Sequence, residues 1–169
     1  MDLMDCEYTE LYFDEPVSPE VEALLKEASY HYGEGMAEQY LLHAYHLAPK
    51  QLVVCVALYR YYFYQHRLRE ALEIAEKSMA WVGQRLLLPE SWNLLHPTDV
   101  ETLDPSLRGW LRFYLLVLKA SAYLYLRLGH DQEGRTRLNK LIELDHHNRL
   151  GGQTLLKLIT EGEETTLTT

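Results

Sequence analysis

Ala37 and Ala71 stand 34 residues apart, and so do Leu24 and Leu58. Each alanine opens a stretch with a second small residue seven positions on, Ala44 in the first copy and Ser78 in the second, and Pro49 follows Ala44 by five residues. A repeat of this length holds one helix–turn–helix unit. The apolar face of such a unit is too large to bury alone, so neighbouring units must stack to make a core. Small residues at fixed places let two antiparallel helices approach closely.

The rest of the chain agrees with a helical reading. Period-2 apolar runs and Asn-Gly or Asp-Gly hairpins are nearly absent, so strands are not expected. Ser18-Pro19-Glu20 combines an N-cap, an N1 proline and an early acid, which predicts a helix from there to about Tyr32, stopped by Gly33-Glu34-Gly35. Further helices are expected over Met36–Ala48, Gln51–Tyr64, and Leu68 to about Leu87. Residues 88–104 hold two prolines and no helical period, and read as an inserted loop. Asp104-Pro105 opens a long helix that stops at Gly129-His130, followed by helices over Asp131–Leu144 and Asn148–Ile159. The ending from Glu161 is expected to be disordered.

A third copy of the pattern runs from Tyr125-Leu-Arg-Leu-Gly-His-Asp to Leu138-Asn-Lys-Leu-Ile-Glu-Leu-Asp145, with Gly134 in place of alanine and His146 where a proline is expected. Together with Arg67-Leu68-Arg69-Glu70-Ala71-Leu72 and the tyrosines at 59 and 62, these copies resemble the tetratricopeptide-repeat family. The resemblance implies an all-α, right-handed solenoid of antiparallel helix hairpins. Its repeats would fall at about 18–51, 52–83 and 115–148, with an insertion at about 84–114 and a cap at 148–160. On this reading one domain spans 18–160, between an acidic arm at 1–17 and a disordered tail at 161–169.

The same resemblance implies a concave groove, lined by the first helix of each repeat, that holds a segment of a partner protein. Carried onto this sequence, the groove positions are Glu22, Lys26, Ser29 and Tyr30, then Val56, Arg60, Phe63 and Tyr64, then Lys119, Tyr123 and Arg127. Of these, Lys26, Tyr30, Arg60, Phe63, Tyr64, Lys119, Tyr123 and Arg127 are the candidate partner-binding residues. Cations interleaved with rings suit an acidic or aromatic-containing segment. The opposing expectation is that several rings pack between helices while the cations only solvate the surface. The Lys and Asn pattern with which some members clamp a C-terminal carboxylate is incomplete, since Glu22 and Lys26 come without the asparagine. The acidic leader Asp5–Glu15 has a composition that such a groove would accept.

Charge narrows the function classes. The net charge is -9; residues 1–49 hold eleven acids against Lys26 alone, whereas residues 50–160 hold eleven acids against fifteen cations. An acidic total argues against nucleic-acid binding. No apolar run is long enough to span a membrane, and the first residues lack the pattern of a signal peptide. Cys6 and Cys55 have no CxxC partner, which favours reduced thiols in a cytoplasmic protein.

No phosphate-binding glycine loop, nucleophile elbow or HExxH occurs. His43 and His46 are three apart on one helix and His146-His147 adjoin, but zinc wants three or four ligands, so no metal, cofactor or catalytic residue is expected. Glu70 and Glu73 read as a solvated face. Trp92 and Trp110 are expected to fold the insertion back onto the array. The alternative function is a self-assembling module, a homodimer through the tryptophan-bearing insertion or the array ends. A histidine-based metal-binding accessory protein ranks behind it.

Overall fold

A computed structural model describes residues 15–33 and 35–167; the acidic arm through Asp14 lies outside the described residues. The described residues form helices and no strand. The eight α-helices are α1 Pro19–Tyr30, α2 Ala37–Leu47, α3 Leu52–Tyr64, α4 Leu68–Arg85, α5 Pro97–Glu101, α6 Arg108–Arg127, α7 Asp131–Leu144 and α8 Gly152–Leu167. Two compact units divide within α4, between Val82 and Gly83.

In the first unit, α1 begins where the sequence signals it. The Val21 amide donates to Ser18 Oγ at 3.3 Å, Pro19 occupies N1, and Glu20 and Glu22 face the positive end of the helix. Helix α2 packs against both α1 and α3. Val21, Ala44 and Val54 meet in a core closed by Val17, Leu24, Leu25, Tyr45, Ala48 and Val53. Ala37, Ala44 and Ala71 are fully buried, as the spacing argument requires of residues at a close helix approach.

A polar knot ties α2 to the turn between α3 and α4. The Arg67 guanidinium donates to Glu38 at 2.7 Å and to Glu70 at 2.8 Å, and lies 4.6 Å from the centre of the Tyr62 ring. The Tyr62 hydroxyl donates to the other Glu38 oxygen at 3.2 Å.

Cys55 is buried with its Sγ 3.4 Å from the Pro49 carbonyl oxygen, and burial pushes the thiol up to about 12 from an ordinary 9.0. Burial and the Glu38 carboxylate likewise push Tyr62 up to about 12. Both groups are neutral when protonated, so the fold keeps protons that the unfolded chain releases as pH rises above 9.0. The stability they contribute is therefore complete below that pH and is lost on the way to about 12. The urea midpoint is expected to fall between about pH 9 and 11, and Cys55→Ala should remove the earliest part of the fall. A midpoint that holds steady across that range would contradict the burial of these groups.

In the second unit α6 packs on α7, and α7 on α8. Gly134 sits at the tightest point: a Cβ there would lie 2.5 Å from Leu126 Cγ and 2.8 Å from the Ala122 carbonyl oxygen. The departure from alanine seen in the sequence thus has a steric cause.

The insertion is more ordered than the loop its lack of periodicity predicts. Two short 3₁₀ turns, Trp92–Leu94 and Pro105–Leu107, flank α5. Pro97 at N1 and a capping box between His96 and Asp99 start α5, with the His96 amide donating to Asp99 Oδ2 at 2.8 Å. Leu95 is fully buried, and the Lys140 ammonium donates to its carbonyl oxygen at 2.9 Å.

Trp92 lies over Arg137, with the guanidinium carbon 5.0 Å from its ring centre, and Tyr125 approaches the same carbon at 4.6 Å. Arg137 is 4% exposed and donates to Glu133 at 2.9 Å and to Ser121 Oγ at 2.8 Å. Trp110 is buried with Arg85 stacked on it, 4.1 Å from its ring centre.

The last helix departs from expectation at both ends. It starts at Gly152, after a turn in which Asp145 accepts the amides of Arg149 and Leu150, and it continues through Leu167. The tail expected to be disordered from 161 is therefore helical through Leu167. A helix already nucleated by Leu155 against the unit needs only one hydrogen bond per added residue, which a polar sequence supplies as well as an apolar one.

Candidate functional site

The predicted partner-binding residues lie on α1 and α3 in the first unit and on α6 in the second. In the first unit, Glu22, Lys26 and Tyr30 follow one another at four-residue steps on the exposed side of α1, opposite the buried Val21 and Ala28. Tyr30 is 67% exposed, which is unusual for a ring of this size. Ser29 is exposed and its hydroxyl donates to the Lys26 carbonyl at 2.7 Å, so it serves its own helix.

On α3 the same four-residue step relates Val56, Arg60 and Tyr64. Tyr64 is 48% exposed; the Arg60 guanidinium stands 5.9 Å from its ring centre and Phe63 meets it edge-on at 5.6 Å. Phe63 also stacks on the buried Tyr59 at 6.0 Å. It is therefore half core and half surface.

In the second unit Lys119, Tyr123 and Arg127 form the corresponding row on α6. The Arg127 guanidinium donates to the Tyr123 hydroxyl at 2.8 Å and lies 5.7 Å from that ring centre. Lys119 Nζ reaches toward Gly151, at the turn between α7 and α8.

A cation and a tyrosine four residues apart recur on all three helices, as Lys26 with Tyr30, Arg60 with Tyr64, and Tyr123 with Arg127. In the α3 and α6 pairs the guanidinium stands beside the ring, 5.9 Å from the Tyr64 centre and 5.7 Å from that of Tyr123.

Several residues outside the predicted set shape these surfaces. Tyr32 is 36% exposed and rests edge-on against Tyr61 at 5.4 Å, extending the aromatic surface of the first unit. It lies in the turn after α1, which ends at Tyr30 rather than at about Tyr32 as the sequence predicts, so the four-residue step of α1 does not reach it. Arg67 and Arg137 take structural positions. Their signal is long-range, since their partners Glu38 and Trp92 are far away in sequence.

The carboxylates read as a solvated face are paired: Arg67 holds the Glu70 carboxyl below its ordinary range, and Lys77 bonds Glu73. Glu70 is therefore not poised to carry a proton near neutrality. Among the described residues, no three His, Cys, Asp or Glu side chains converge on a point where a metal ion could sit. His43 and His46 both face solvent. No helix among the described residues is long and apolar enough to cross a membrane. Cys6 lies outside the described residues.

The described residues are all-helical, and the candidate rings and cations lie on α1, α3 and α6. Its sequence is similar to that of the "uncharacterized 19.8 kDa protein in nifW 5'region" of Azotobacter chroococcum mcd 1, with 49% identity over 161 residues covering 95% of this chain and 90% of the relative. The chain belongs to the same family as that protein. No family model matches the chain, and no solved structure matches it.

Proposed function

We propose that the protein is a non-catalytic binding module, built as a tetratricopeptide-like array, that holds an acidic or aromatic-containing segment of another protein. The observation that carries the reading is the repeated cation–tyrosine pair on the open sides of α1, α3 and α6. Lys26, Tyr30, Arg60, Phe63 and Tyr64 act in the first unit, and Lys119, Tyr123 and Arg127 in the second. The array reading is supported by Ala37, Ala71 and Gly134, which open the second helix of each pair and are buried in each case. It draws further support from the 34-residue spacing.

Exposed rings such as Tyr30 and Tyr64 give up little conformational freedom when covered, and so favour capture of a partner over chemistry on it. The protein works in the cytoplasm on this reading.

The test is capture of partners from native lysate by the wild type and by Arg60→Glu/Arg127→Glu, with helicity compared by circular dichroism. Reversing both cations is expected to weaken the captured partner at least ~10-fold, about 1.4 kcal/mol, with the helical spectrum unchanged. Equal capture by both proteins would remove these rows from the function.

A further inference from the structure

The acidic leader joins the fold at the start of α3. Gln51, the N-cap of α3, donates from Nε2 to the Pro16 carbonyl oxygen at 3.0 Å. Residues 1–14, which lie outside the described residues, hold Asp2, Asp5, Glu7, Glu10 and Asp14 and no cation. Tyr8, Leu11, Tyr12 and Phe13 stand among those acids. The leader thus has the acidic and aromatic composition that the binding reading assigns to a partner. The partly exposed side of α3 matches it. Val53, Val56, Ala57 and Phe63 are apolar, Arg60 is the cation among them, and α3 carries no acid. Lys50 is exposed just ahead of Gln51. Helix α1 instead opens with the exposed Glu20 and Glu22, which repel an acidic segment, so charge directs the leader to α3.

We propose that residues 7–14 of the leader lie along this side of α3 within the same chain, with Glu10 at Arg60 and Asp14 beside Lys50, so that a partner has to displace them. The reach is sufficient. Gln51 and Arg60 are about 14 Å apart along the helix. The leader from Pro16 back to Glu10 spans up to about 20 Å when extended. Leu11, Tyr12 and Phe13 then fall between the two ion pairs, against Val53, Val56 and Ala57. Asp14 also meets the positive end of α3. A tether this short gives an effective concentration on the order of millimolar, so a contact too weak for a free peptide is populated within the chain. The displacement of the leader by a partner rests on the binding reading above; the docking of the leader does not.

Cys6 is the thiol to label in the folded chain, because Cys55 is buried with its pKa pushed up to about 12. Paramagnetic broadening of amide signals in the full chain, with a nitroxide on Cys6, reads where the leader sits. The amides of Arg60–Tyr64 are expected to lose most of their intensity while those of α8 keep theirs. Mixing nitroxide-bearing chains with isotope-labelled chains that lack the nitroxide should restore the α3 signals, as a contact within one chain requires. Glu7→Gln/Glu10→Gln/Asp14→Asn should restore them too, and should raise capture in the lysate assay at least ~3-fold. Amides of α3 broadened no more than those of α8 overturn the docking. Broadening that persists in the mixed sample overturns it by giving the contact to a second copy. Broadening that survives in the neutralised leader overturns the ion pairs. Relief of broadening with capture unchanged overturns the displacement. A chain that docks its leader and captures nothing, neutralised or not, counts against the binding reading and upholds the docking.

Discussion

Arg137→Ala is expected to destabilise the second unit by about 3 kcal/mol, measured as the shift in urea unfolding at neutral pH. The side chain is 5% exposed, so almost all of its length is lost from the interior along with its charge. Its guanidinium lies against both Trp92 and Tyr125 and bonds Ser121 and Glu133. Alanine leaves both rings facing a void and cuts the insertion's aromatic tie to α7. Arg137→Met separates charge from volume. Glu133 is 42% exposed and returns to water when its partner goes, so methionine should cost less than half as much as alanine. Alanine within about 0.5 kcal/mol of wild type would mean that Arg137 is not what holds the insertion.

Gly134→Ala should also be destabilising, by about 2 kcal/mol, and here the sign is the informative part. Within a helix the exchange of glycine for alanine ordinarily stabilises by up to about 1 kcal/mol. At Gly134 the added carbon would stand 2.8 Å from the Ala122 backbone oxygen, which cannot move without shifting α6. The clash with Leu126 can be relieved by a rotamer change; the clash with the backbone cannot. A variant more stable than wild type would show that α6 and α7 have slack at this crossing.

These two residues mark the border of what the sequence discloses. Gly134 was visible as the small residue that opens the second helix of the third pair. The reason it must be glycine depends on Ala122 and Leu126 lying across from it. Arg137 carried no signal at all. In the sequence it is one of several cations on a polar helix, and it is Trp92 from the insertion together with Tyr125 and Ser121 of α6 that surround it. The candidate rows behaved in a mixed way: their four-residue steps on α1, α3 and α6 follow from helical geometry, whereas the half-burial of Phe63 follows from Tyr59 packing beneath it.

Local chemistry therefore determined the class of the fold and most helix limits: Ser18 with Pro19 at one start, Pro49 and Gly129 after two ends, and the small residues 34 apart that permit close pairs. Those are interactions within a few residues of one another, and they act before any tertiary contact exists. Tertiary structure decided the rest. It ordered an insertion that has no period of its own by giving Trp92 and Leu95 partners on α7. It buried Arg137 and knotted Arg67 to Glu38. Each of these depends on which residues distant in sequence share a neighbourhood, and that is set by the fold as a whole rather than by any local run of side chains.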